Sequence, residues 1–317
     1  MFAFPTLHDI TTAASRIEPW AHRTPIMTSS AIDAMAGNTL FFKCENFQKV
    51  GAFKFRGASN AVLSLSDDEA ARGVATHSSG NHAQALALAA RLRGIPAFIV
   101  MPSNAPAIKK AAVAGYGARI VECEPTLEAR ESTLDAVVGE TGAAFVHPYN
   151  DPRVITGQAT AAKELIEDVP DLDILMTPVG GGGLLSGSAL SAFYLSSGTA
   201  VIAAEPEGAD DAARSFRAGR IIPSENPRTI ADGLLTSLGE NTFAIIRAHV
   251  SDIVTVSDDA IIRAMRLVWE RLKIVIEPSA AVPLAAILER KPDTDGKRVG
   301  IILSGGNLDL DRLPWQS

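Results

Sequence analysis

Cysteine is scarce in this chain: Cys44 and Cys123 are the only two in 317 residues. They lie too far apart for a metal-type spacing and read as small buried hydrophobes. No apolar stretch reaches transmembrane length. The N-terminus, Met1-Phe2-Ala3-Phe4-Pro5, has no basic region leading into an apolar run and a small-residue cleavage site. A soluble, cytoplasmic protein is therefore expected. Positive charge is not in excess either. Lys and Arg number 29 against 36 Asp and Glu, a net charge of −7 with the two signs interspersed, which argues against nucleic acid and anionic membranes as partners. Two nucleotide signatures are missing. The run Gly180–Gly183 fails Gly-x-Gly-x-x-Gly in every register, the third glycine counted from Gly181 being Ser186. No Gly-Lys-Ser/Thr follows to make a P-loop.

What the chain does have is apolar content (47%) and length enough for two domains or one large one. Strand candidates alternate with single helices. Thr39–Cys44 is a strand, and a helix is expected from about Phe53 to Leu65. Then come Val74–Thr76 (strand), Asn81–Arg93 (helix), Ala97–Met101 (strand), Ala105–Ala114 (helix), Ala118–Val121 (strand) and Thr126–Glu140 (helix). A second series follows: helix Val154–Asp168, strand Ile174–Met176, helix Leu184–Leu195 and strand Ala200–Ala204. Further helices lie near Asn241–Ala248, Asp258–Arg271 and Ser279–Glu289, and the apolar strand Val299–Leu303 is expected to close the sheet. Such alternation argues for parallel β-α-β units covered by helices on both faces. Ligands of these sheets bind at the carboxyl ends of the strands.

Four stretches carry chemistry. In Gly51-Ala52-Phe53-Lys54-Phe55-Arg56-Gly57 a lysine stands between phenylalanines inside a glycine frame. Desolvation there would lower its pKa and keep the amine reactive. Gly180–Gly183 follows a strand and opens a helix, so converging N–H groups and the helix N-terminus suit a compact monophosphate. Ser304, directly after an apolar strand, can point its hydroxyl into a cleft and donate or accept a hydrogen bond without carrying charge. Ser78-Ser79-Gly80-Asn81-His82 precedes a helix, where Ser79 or Asn81 can also act as N-cap.

Together, in this order and spacing, these motifs resemble the fold-type-II pyridoxal phosphate enzymes, and within them the serine/threonine dehydratase and serine racemase branch. The likeness runs from about Ile10 to Leu310. It implies a two-domain α/β fold (tryptophan-synthase-β-like) with parallel-type sheets covered by helices and the active site in the interdomain cleft. The large domain would comprise 1–65 and 151–317, and the small domain 66–150. Lys54 would hold pyridoxal 5′-phosphate covalently, Phe53 would pack on its ring, and Asn81 would contact its 3′-oxygen. Gly180, Gly181, Gly182 and Gly183 would cradle its phosphate, and Ser304 would face its ring nitrogen. The loop Ser78, Ser79, Gly80, Asn81 and His82 would bind the substrate, with Tyr116 and Arg130 lining the site or coupling to its closure. Glu205, the Ala209 carbonyl and Asp211 match a divalent-cation site (Mg2+, or Mn2+ or Ca2+), and oxygen ligands of this kind suit a hard cation.

The implied reaction is β-elimination from a short β-hydroxy-α-amino acid (L-serine, L-threonine or L-threo-3-hydroxyaspartate) to a 2-oxo acid and ammonia. Serine racemase with elimination as a side activity is the alternative. A homodimer acting on a small amino acid is expected, and hydroxyaspartate would need an extra cation, for which Arg130 and Arg153 are candidates. Lys49, Gln84 and Lys273 fit the nucleotide site of some racemases, whereas Val50 departs from its usual polar residue. Lys54→Ala is expected to abolish 2-oxo acid release. Ser79→Ala is expected to lose racemisation while keeping some elimination, which chiral analysis of recovered serine would read.

Overall fold

The computed structural model describes residues 2–316. Its strands are β1 (Ile26–Met27), β2 (Thr39–Cys44), β3 (Val74–His77), β4 (Ala97–Pro102), β5 (Arg119–Cys123), β6 (Ala144–Phe145), β7 (Ile174–Pro178), β8 (Ala200–Pro206), β9 (Asp252–Val256) and β10 (Arg298–Leu303). They form two sheets. The larger runs β1-β2-β10-β7-β8-β9, and the smaller β5-β4-β3-β6. Every pairing is parallel except β1 with β2.

Alternation along the inner strands explains their uniform apolarity. Val299, Ile301 and Leu303 of β10 point into one helix layer, while Ile302 points into the other. Both faces of the sheet are thus buried, as parallel sheets require. The expectation that Val299–Leu303 closes the sheet is corrected here. The last strand of the chain lies inside it, pairing with β2 on one side and β7 on the other. The edges are β1 and β9, and exposed Asp252 and half-buried Thr255 hid β9 in the sequence.

The helix Lys54–Leu63 crosses the helix Pro152–Asp168 at a glycine pair. A Cβ on Gly57 would come within 2.8 Å of the Val154 carbonyl oxygen, and one on Gly157 within 2.6 Å of the Gly57 Cα. Any side chain at either position would push the helices apart. Beside this contact Arg56, fully buried, is held on two sides. Its Nε and Nη2 donate to Glu45 at 2.7 and 2.8 Å, and its Nη1 and Nη2 donate to Glu164 at 2.7 and 2.9 Å. Lys43 Nζ donates to Glu164 at 2.6 Å and to the Thr24 carbonyl at 2.8 Å. Two buried cations thus meet two carboxylates. Removing one member strands the others without a counter-charge. Arg56→Ala is therefore expected to cost about 3–5 kcal/mol of stability, read as a lower urea midpoint.

Candidate active site

The carboxyl ends of both sheets face each other, and the Lys54 segment lies between them. Backbone hydrogen bonds fasten this segment to the loop after β10. Phe53 N–H donates to the Ser304 carbonyl at 3.0 Å, and Gly306 N–H donates to the Gly51 carbonyl at 2.9 Å. Ala52 and Gly305 form an isolated antiparallel bridge. Ser304 is therefore buried directly beside Phe53 and Lys54. The half-buried Lys54 side chain places Nζ 5.3 Å from the Phe53 ring centre and donates to the Pro148 carbonyl at 2.9 Å. Burial lowers its pKa to about 8 against the opposing pull of Glu277.

From the small-sheet side, β3 ends at the loop Ser78–Gly80, and the helix Asn81–Arg93 begins there. Ser78 Oγ accepts from Gly80 N–H at 3.3 Å. Ser79 is half-buried, and space beside Gly80 is open where a Cβ would stand. Asn81 Nδ2 donates to both oxygens of Glu277, at 3.1 and 3.2 Å. His82 is buried, and its Nε2–H donates to the Val146 carbonyl at 3.3 Å, leaving Nδ1 as an acceptor without a partner. Burial, with the Lys54 charge adding, holds this imidazole neutral, well below the usual histidine range.

The glycine run lies on the other side of Pro148. A Cβ on Gly181 would strike the Tyr149 ring, and Gly182 takes φ +86°. No side chain caps the helix Gly183–Leu195, so its first N–H groups remain available to an anion. Pro148 and Tyr149 thus link Lys54 to this cradle. Their neighbour His147, whose Nδ1 accepts from Tyr149 N–H (3.3 Å) and Asn150 N–H (3.0 Å), is pushed down to about 4 by burial. A phosphate, a pyridine ring and an aldehyde fit, in that order, against the glycine cradle, the Phe53–Ser304 wall and Lys54.

Two expected substrate residues come from helices beside the small sheet. Tyr116, at the end of the helix Ala107–Gly115, packs on the rim of an apolar cluster beside the small sheet. Arg130 lies in the first turns of the helix Leu127–Thr141. Its Nε is buried without a partner, and its charge helps depress the His77 imidazole, after burial itself. Glu205, Ala209 and Asp211 gather where β8 runs into the helix Asp211–Ala218. Glu205 accepts from Ala212 and Ala213 N–H at 3.0 and 2.9 Å, whereas both Asp211 oxygens are buried without any partner. Burial pushes Glu205 up to about 9 and Asp211 up to about 6. Among the described residues no group of three or more His, Cys, Asp or Glu side chains stands ready for a metal. Two orphaned oxygens beside a second carboxylate do suit a hard cation completed by a backbone carbonyl and water.

Comparison with known proteins agrees with this arrangement. Residues 17–305 match the family described as pyridoxal-phosphate dependent enzyme. The chain belongs to that family. It is 57% identical over 311 residues to a beta-hydroxyaspartate dehydratase of Paracoccus denitrificans, covering 98% of this chain and 99% of the relative. It is 52% identical over 309 residues to an L-threo-3-hydroxyaspartate ammonia-lyase of Saccharomyces cerevisiae, covering 97% and 95%. The crystal structure of serine racemase from Dictyostelium discoideum superposes with a TM-score of 0.94 at 51% identity, covering 97% of this chain and 100% of that one. Like those proteins, this one is an α/β pyridoxal phosphate enzyme.

Glu277, Pro148, Tyr149 and His147 escaped the sequence reading. Glu277 stands before Pro278, an ordinary helix start in one dimension, and only the fold brings it to Asn81. Asn307, three residues after Ser304, was given no role either. With Lys54 depressed to about 8 by burial, the free amine that captures an aldehyde dominates above that pH. Uptake of pyridoxal phosphate by the apo-protein is expected to accelerate as pH rises to about 8 and then level off. A rise continuing towards the ordinary lysine value near ~10.4 would contradict the burial.

Proposed function

We propose that this ammonia-lyase eliminates water from 3-hydroxyaspartate in preference to serine and threonine, releasing a 2-oxo acid and ammonia. The observation that carries the choice is Arg130, a cation whose buried Nε has no protein partner. Arg153, the other candidate, is taken: its Nε and Nη2 donate to Asp151 at 3.0 and 2.6 Å. A second substrate carboxylate would satisfy Arg130 by charge-assisted hydrogen bonds. The names of the Paracoccus and Saccharomyces relatives support the same substrate class.

Bound pyridoxal phosphate supplies an electron sink for the charge left when the substrate loses its Cα proton. The residues divide the remaining work. The Gly180–Gly183 cradle would hold the phosphate, Ser304 would face the ring nitrogen, and Phe53 would form a wall. Backbone N–H groups of the Ser78–Gly80 loop receive the α-carboxylate, while the Lys54 amine, its pKa lowered to about 8 by desolvation, takes the proton from Cα in its free form. The neutral His82 adds no competing positive charge. Loss of the β-hydroxyl as water yields an enamine that hydrolyses to the 2-oxo acid and ammonia.

Racemisation is a second reading, supported by the likeness to serine racemases and by Ser79, a half-buried hydroxyl in the carboxylate-binding loop. A divalent cation held by Glu205, Asp211 and the Ala209 carbonyl belongs to the same proposal, supported by the partnerless Asp211 oxygens. So does the division into a small domain at 66–150 and a large one on either side, which the separate sheets support. Assembly as a homodimer rests on the family resemblance; among the described residues no helix is long and apolar enough to cross a membrane.

Side-by-side assays of 2-oxo acid release test the substrate. Arg130→Met is expected to raise KM for 3-hydroxyaspartate about 10–100-fold, the loss of one charge-assisted pairing, with little change for serine. Equal effects on both substrates would overturn the assignment. Mg2+ is expected to raise the melting temperature of the wild type and not that of Asp211→Ala.

A further inference from the structure

The Asn81 side chain has one orientation open to it. Asn307 Nδ2 donates to the Val50 carbonyl at 2.7 Å. A backbone carbonyl only accepts, so this contact fixes which end of the Asn307 amide is nitrogen. The same Nδ2 donates to Asn81 Oδ1 at 2.9 Å. The oxygen of Asn81 therefore faces Asn307, and its nitrogen faces Glu277 at 3.1 and 3.2 Å. Turning the amide over would set a carbonyl against a carboxylate and one amino group against another. Glu277 is itself fixed. It is 4% exposed, its Oε2 accepts from Asn307 N–H at 3.0 Å, and Gly305 packs so close that a Cβ there would reach Oε1 at 2.8 Å.

We propose that Glu277 is a positioning residue that fixes Asn81 as a hydrogen-bond donor towards the ring oxygen of pyridoxal phosphate. The inference rests on the reading that this cofactor occupies the cleft against Lys54 and the glycine cradle. An amide nitrogen carries two hydrogens. Glu277 takes one, so the other is the hydrogen that Asn81 can present to the cleft, while its oxygen is turned to Asn307. A fixed donor favours the ionised ring oxygen over its protonated form. The other charged groups that influence Glu277 are Lys54, Asp232 from the turn Asp232–Leu234, and Lys109 from the helix Ala107–Gly115. Lys109 is paired with Asp232 at 2.9 Å. Burial, with Asp232 adding, pushes Glu277 up to about 7, against the hydrogen bonds from Asn81 and Asn307 and the charge of Lys109. The lock is thus strongest above neutrality, where the carboxylate only accepts.

The test is a spectroscopic pH titration of the cofactor absorbance in the holoenzyme, with pyridoxal phosphate affinity and apo-protein melting measured alongside. In Glu277→Gln the titration midpoint is expected to rise by about one pH unit and affinity to fall about tenfold, the size of one hydrogen bond to a charged group. Apo-protein melting should change little, and Glu277→Asp should restore most of the shift. Because Glu277 acts through Asn81, Glu277→Gln should add nothing in an Asn81→Ala background. If Glu277→Gln does not fold, Asn307→Ala removes the other anchor of Asn81 and is read the same way. An unchanged midpoint, or a full additional shift in the Asn81→Ala background, overturns the proposal alone. A wild-type cofactor band that survives Lys54→Ala unchanged overturns the reading of the cleft, and the proposal with it.

Discussion

The reactive lysine depends on a buried guanidinium two residues along. Arg56 is gripped by Glu45 at the end of β2 and by Glu164 on the helix Pro152–Asp168. A guanidinium is a planar fork whose donors point in fixed directions. Satisfying it from both sides sets the rotation of its own helix. Residues two apart on a helix point about 200° away from each other. Burying Arg56 on one side therefore turns Lys54 to the other, towards the cleft. The Gly57–Gly157 contact fixes the remaining freedom, the distance between the two helices.

That arrangement separates two kinds of buried charge. Arg56, Lys43, Glu45 and Glu164 form a closed set with each charge answered. At the site the balance is different: Lys54 has a carbonyl for a partner, His82 keeps a bare nitrogen, and the Asp211 oxygens have nothing. Burial without a counter-charge shifts these groups towards their neutral forms. For Lys54 this is useful, because a neutral amine can attack a carbonyl and accept a proton.

The legible parts of the sequence were those that a local pattern determines. Strand β2 and the helix Asn81–Arg93 fall at the expected residues, because a continuous apolar run and a glycine stop are visible within a dozen positions. The four motifs were legible for the same reason. Strand order was not: β10 is apolar whether it lies at an edge or in the middle, and only its pairing with β2 and β7 decides. The helix Asp211–Ala218 was not expected, because it is short and opens directly after the acidic stretch Glu205–Asp210. Glu277 was missed because its partner Asn81 lies 196 residues away in the chain. Contacts across that distance are set by the packing of two sheets, and no window of sequence contains them.

The cleft is thus held by groups from both sheets that meet only in the folded chain. Asn81 belongs to the small-sheet side, while Glu277 and Asn307 belong to the large-sheet side, and their hydrogen bonds span the gap between the two. A ligand that draws on Asn81, Lys54 and the glycine cradle at once contacts both sides. Its binding then favours the arrangement in which they are close, by the linkage that stabilises any state a ligand prefers. The unpaired groups supply the difference in affinity that such a shift requires. In this fold a bound ligand therefore completes contacts that the two sides have already begun.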